Sequence, residues 1–87
     1  MDIKDLRNKI DLIDAEIVRL YAMRMSVSEQ IAEYKKENGL PVLDSAREKA
    51  LLDRVSSLAG KELEEYTRTV YESILSTSRE HQSKKQK

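Results

Sequence analysis

The sequence predicts an all-α fold of three helices, on three observations. Two Gly and one Pro punctuate 87 residues sparsely, apolar residues recur in steps of three and four, and the recurrence breaks only around Asn38-Gly39 and Gly60. A chain of this length is one domain, and its core is marginal unless a partner enlarges it.

The first helix starts at an Asp2 cap. Ile3, Leu6, Ile10, Ile13, Ile17, Leu20, Val27, Ile31 and Tyr34 follow as a heptad seam, with Arg24 in the slot where one more apolar residue belongs. Asn38-Gly39 supplies a helix stop and Pro41 stands just beyond it. A second helix opens at Asp44 or Ser45 and carries Ala46, Ala50, Leu51, Val55 and Leu58 to Gly60. Ser45 and Glu48 have capping-box spacing, and Asp44 adds favourable charge at the helix start. The third helix is expected from about Lys61, with Leu63, Tyr66, Val70, Tyr71, Ile74 and Leu75 as its apolar face. That stripe then turns polar at Ser78 and Gln82. The ending SKKQK lacks apolar residues, so the domain is expected over 1–83, with 84–87 a disordered tail or linker.

Sixteen cations balance sixteen carboxylates, so no global field recruits nucleic acid or an anionic membrane, and any anion must be caught by a local cluster. With no Cys and one His, the sequence predicts neither a disulfide framework nor a metal centre. No apolar run approaches the ~20 residues that span a bilayer, and the opening Met-Asp-Ile-Lys-Asp lacks the core of a signal peptide. A cytoplasmic location is expected.

Length argues for a partner. A first helix of about 34 residues is roughly 50 Å long, whereas a compact chain of this size has a radius of gyration near 12 Å and a diameter of about 30 Å. The helix must overhang, and its seam then needs a second copy lying along it. A homodimer is expected.

The cations refine this picture. Arg24 in the seam calls either for an interhelical carboxylate, or a stem reaching out to water, or an anionic ligand. Lys35 lies eleven residues on, about 16 Å along the axis and only ~20° around it, so both face one groove. By itself Lys35 also reads as an ordinary end-of-helix lysine. Arg7 stands some 25 Å before Arg24 and about 100° around the helix, and cannot share a ligand with it in one chain. If two first helices pair antiparallel about Val18, residue 7 of one copy falls opposite residue 29 of the other. Otherwise Arg7 is a surface residue. Arg47 opposes the dipole of the second helix, which suits a site for an anion or a hydroxyl-bearing ligand. His81 has no partner in the pattern and reads as a solvated surface residue.

LRNKIDLID, RMSVSEQIAEYKK, PVLDSAREKALLDR and VYESILSTSREHQ occur in this order across residues 5 to 82. In this the chain resembles the all-α chorismate mutase family. The resemblance implies an intertwined antiparallel homodimer of three-helix subunits with two active sites, converting chorismate to prephenate without a cofactor. It carries the family's site onto Arg7, Arg24, Lys35, Asp44, Arg47, Glu48, Ser78 and Gln82, each a residue type the family uses. It implies that Arg24 and Ser78 hold one substrate carboxylate, and that Lys35 and an Arg7 supplied in trans hold the other. Glu48 and the backbone near Asp44 would take the ring hydroxyl with help from Arg47, and Lys35 with Gln82 would flank the ether oxygen. Lys35, Gln82, Arg24 and Glu48 are thus the expected catalytic residues. Domains of this kind are often fused to prephenate dehydratase or other aromatic-pathway enzymes.

Two other readings share these features. Isochorismate-pyruvate lyase uses a similar cationic pocket on the same scaffold, although the set Asp44, Arg47 and Glu48 favours the mutase. A non-catalytic helical dimerisation or regulatory module is what the long seam alone would suggest.

Overall fold

The computed structural model describes residues 2–86. Its three helices are α1 (Ile3–Glu37), α2 (Ser45–Ala59) and α3 (Glu64–Gln86), and no strand occurs among the described residues. The all-α prediction holds, and both boundaries of α1 have a local cause. Asp2 caps α1 by accepting from the Asp5 N–H at 2.9 Å. At the other end Gly39 takes φ +63°, where a side chain is disfavoured, and the Leu40 N–H returns to the Lys35 carbonyl at 2.8 Å.

Two local expectations need correction. The cap of α2 is Asp44, whose carboxylate accepts from the Arg47 N–H at 3.0 Å, and Ser45 is the first helical residue. The Ser45–Glu48 capping box is not formed, because Glu48 reaches across to α3 instead. The third helix starts at Glu64 rather than Lys61. Gly60, at φ +85°, turns the chain, and the Leu63 N–H closes onto the Gly60 carbonyl at 3.1 Å, making a turn of 61–63. α3 continues as helix through Gln86, beyond the expected domain boundary at residue 83. Met1 and Lys87, which open the expected domain and close the expected tail, lie outside the described residues.

Among the described residues, α1 and α2 both pack on α3 and not on each other. α2 runs antiparallel to α3, as the pairs Asp53–Arg68 and Glu48–Arg79 show. The C-terminal half of α1 runs parallel to α3, as Tyr21–Thr77, Arg24–Ser78 and Ser28–Gln82 show. The buried core is small. Leu51, Val55 and Leu75 form it, with Leu52 and Tyr71 packed against it, while Ala32 is fully buried on α1.

The heptad seam of α1 is not part of that core. Ile3, Leu6, Ile10, Ile13, Ile17, Leu20, Val27, Ile31 and Tyr34 are each at least 44% exposed. The subunit measures 55 × 26 × 14 Å with a radius of gyration of 16.0 Å, against about 12 Å for a compact chain of this length. Its first helix overhangs the rest. No helix among the described residues is long and apolar enough to cross a membrane.

Candidate active site

The parallel contact of α1 with α3 and the antiparallel contact of α3 with α2 leave a cavity of about 480 Å³ between them. The loop 38–44 closes one end. Pro41 cannot extend α1, and the chain folds back so that the Val42 carbonyl accepts from Lys35 Nζ at 2.7 Å. Lys35 is thereby aimed inward instead of along α1.

Seven of the eight residues expected at a site line this cavity: Arg24, Lys35, Asp44, Arg47, Glu48, Ser78 and Gln82. The eighth, Arg7, lies on the exposed overhang of α1 and outside the cavity of its own chain. Arg24 Nη1 donates to Ser78 Oγ at 3.1 Å, and Ser78 is buried. Pattern alone left Arg24 open to an interhelical carboxylate. It meets a hydroxyl instead, so its charge is not neutralised by this contact. Gln82 is buried at 8% exposure, its Oε1 accepting from Lys35 Nζ at 3.4 Å and its Nε2 donating to Ser28 Oγ at 2.8 Å. Ammonium on one side and hydroxyl on the other orient the amide with its NH₂ group away from Lys35.

Charge follows from the lining. Four cations, Arg24, Lys35, Arg47 and Arg79, face two carboxylates, Asp44 and Glu48, so the wall carries a net charge of +2. Apolar side chains of Val27, Ile31, Leu51 and Leu75 complete it. A small dianion with an apolar body suits such a wall.

Sequence reasoning passed over Ser28, Arg79 and the partner of His81. Ser28 follows Arg24 by four residues and precedes Lys35 by seven, so helical spacing was a sufficient signal for it. Arg79 Nη1 donates to Glu48 Oε1 at 2.5 Å, a pair that only the α2–α3 register reveals. His81 is not a solvated residue without a partner. Its Nε2 lies 2.7 Å from Glu29 Oε1, and Lys85 Nζ is 3.8 Å from the same oxygen. The hydrogen bond from His81 holds the Glu29 carboxyl below the usual carboxylate range, opposed by partial burial and reinforced by the charge of Lys85.

Known proteins are similar to this sequence over part of its length. Residues 6–83 match the family model of chorismate mutase type II. A chorismate mutase of Methanocaldococcus jannaschii is 43% identical over 54 residues, which is 62% of this chain and 54% of that protein. The T-protein of Haemophilus influenzae is 40% identical over 50 residues, 58% of this chain and 13% of that one. A bifunctional chorismate mutase/prephenate dehydratase of Buchnera aphidicola is 40% identical over 60 residues, 69% of this chain and 16% of its own length. The matches therefore span about half of the archaeal relative and a small part of the longer proteins. No solved structure matches the chain. Since the family model runs from the first turns of α1 to the residue after Gln82, and so contains the whole cavity wall, the chain belongs to the chorismate mutase type II family.

Proposed function

We propose that this protein is a chorismate mutase, an isomerase that rearranges chorismate to prephenate on the route to phenylalanine and tyrosine, acting as a cytoplasmic homodimer. The observation that carries the reading is the cavity itself. Its +2 wall places Lys35 beside the buried amide of Gln82, with Arg24 on Ser78 in the same wall. The substrate is a dianionic enol ether. In the rearrangement its ether C–O bond breaks as a C–C bond forms within the same molecule, so no proton or electron is gained or lost. The protein's contribution is confinement and fixed charge.

In this reading Arg24 and Ser78 hold one carboxylate, and Lys35 with Arg7 of a second copy holds the other. Arg suits a carboxylate through its planar fork, and Lys offers a compact charge aimed at one oxygen. Lys35 and the Gln82 amide donate to the ether oxygen, where negative charge grows as the bond breaks. Glu48, the backbone near Asp44, and Arg47 take the ring hydroxyl. Gln82 Nε2 rests on Ser28 Oγ, which leaves its second N–H to donate to the substrate.

The second copy is inferred from the exposed seam of α1. Covering the exposed half of one Ile or Leu contributes on the order of 1 kcal/mol, and seven such residues, with Val27 and Tyr34, lie along a single line. Antiparallel pairing about Val18, itself 66% exposed, brings Arg7 opposite residue 29, between Arg24 and Lys35. The mutase domain is taken to end near residue 83, where the family model ends, with the residues beyond serving as a tail or linker.

The test is to follow chorismate absorbance with purified protein and identify the product. Prephenate formed from chorismate, with no pyruvate released from isochorismate, supports the reading. Pyruvate release from isochorismate alone would assign the lyase, and silence with both would overturn the enzymatic reading.

A further inference from the structure

Arg79 lines the cavity, yet the reaction as described gives it no task. It follows Ser78 on α3, and its guanidinium crosses to α2, where Nη1 donates to Glu48 Oε1 at 2.5 Å. Both side chains are partly withdrawn from water, at 37% and 21% exposure. Glu48 poses an electrostatic problem. A carboxylate in the wall of a site for a dianion repels the ligand, and the repulsion grows as the ligand displaces water. Yet a carboxylate is the strongest acceptor the wall can offer a hydroxyl. Arg79 resolves the conflict, because it compensates the charge and occupies Oε1, which leaves Oε2 to accept a hydrogen bond from the hydroxyl.

We infer that Arg79 is a positioning residue, which fixes and charge-compensates the Glu48 carboxylate so that a doubly charged, hydroxyl-bearing substrate can bind beside it. The inference rests on the functional reading above. Arg79 acts through Glu48 and not on the reacting atoms, so its loss is felt in substrate binding more than in turnover. Removing it leaves a partly buried carboxylate without its counter-charge.

The experiment is steady-state kinetics with chorismate on the wild type, Arg79→Gln, Arg79→Lys, Glu48→Gln and the Arg79→Gln/Glu48→Gln double variant, with thermal melts on each. Arg79→Gln is expected to raise KM roughly tenfold while kcat stays within about threefold, the loss of a charged hydrogen bond felt mainly in binding. Arg79→Lys, which keeps the cation, should recover much of that KM. In the Glu48→Gln background, Arg79→Gln should change KM by less than about twofold, because the neutral amide needs no compensation. Should Arg79→Gln fail to fold, the Lys and double variants still give the comparison. A full KM effect in the Glu48→Gln background would show Arg79 acting on the substrate directly and overturn the inference. So would a lowered melting temperature with KM unchanged. A wild type inert toward chorismate overturns the functional reading and this inference with it, whereas an active wild type with additive substitutions overturns the inference alone.

Discussion

Lys35 carries the largest share of the proposed chemistry. Its Nζ is fixed between the Val42 carbonyl and Gln82 Oε1, both neutral, so its charge stays available for a substrate oxygen. Lys35→Ala should lower kcat by about a hundredfold or more, as the loss of a preorganised donor does elsewhere. Steady-state kinetics decides this, and a near-normal kcat would remove Lys35 from the ether oxygen. Glu29 makes a separate prediction, about stability. A carboxyl whose folded pKa is depressed adds stability above its ordinary value of about 4.3, and that stability is lost as pH falls through the folded value. Thermal midpoints of the wild type should therefore fall more steeply below about pH 4.3 than those of Glu29→Gln. Equal slopes would mean that the contact with His81 and Lys85 does not persist in solution. Helical spacing set Arg24 and Lys35 on one groove and showed the α3 stripe turning polar at Ser78 and Gln82, whose part in the site came only from the family resemblance. Pairs such as Glu48–Arg79 and Glu29–His81 were not legible in the sequence, because they depend on how one helix slides along another.

At the scale of the element, caps and glycines set every helix boundary but one. Heptad spacing and Asn38-Gly39 identify α1 from end to end, since a helix of this length is decided by neighbours within four residues. The start of α3 was misread because Lys61-Glu62-Leu63 has no breaker of its own, and the turn there comes from Gly60 before it. The start of α2 combines two duties. Asp44 caps the helix through the Arg47 N–H and also faces the cavity, so its two roles can be separated by substitution. Asp44→Asn should keep the stability, since Asn caps as well as Asp, whereas Asp44→Ala should lose about 1 kcal/mol. Urea melts measure both. An Asn variant as unstable as the Ala variant would show that the charge matters there and the cap does not.

The whole molecule is an unfinished shape when considered as one chain. A helix of 35 residues lies along a 55 Å subunit, and its apolar line is open to solvent. The same helix carries Arg24 and Lys35 in one cavity and Arg7 far from it. The proposed antiparallel copy would account for both facts, covering the seam and bringing its own Arg7 to the cavity of its partner. The overhang was legible in the sequence because it follows from length alone. The trans place proposed for Arg7 was reached only by assuming the antiparallel pairing and by the family resemblance, because no intrachain spacing reports on another copy. The most direct test of this account mixes and refolds Arg7→Ala and Lys35→Ala subunits, each inactive alone. Random pairing should leave one intact site in each heterodimer, and so restore roughly a quarter of the wild-type activity. Confirmed heterodimers that stay as inactive as their parents would contradict the account.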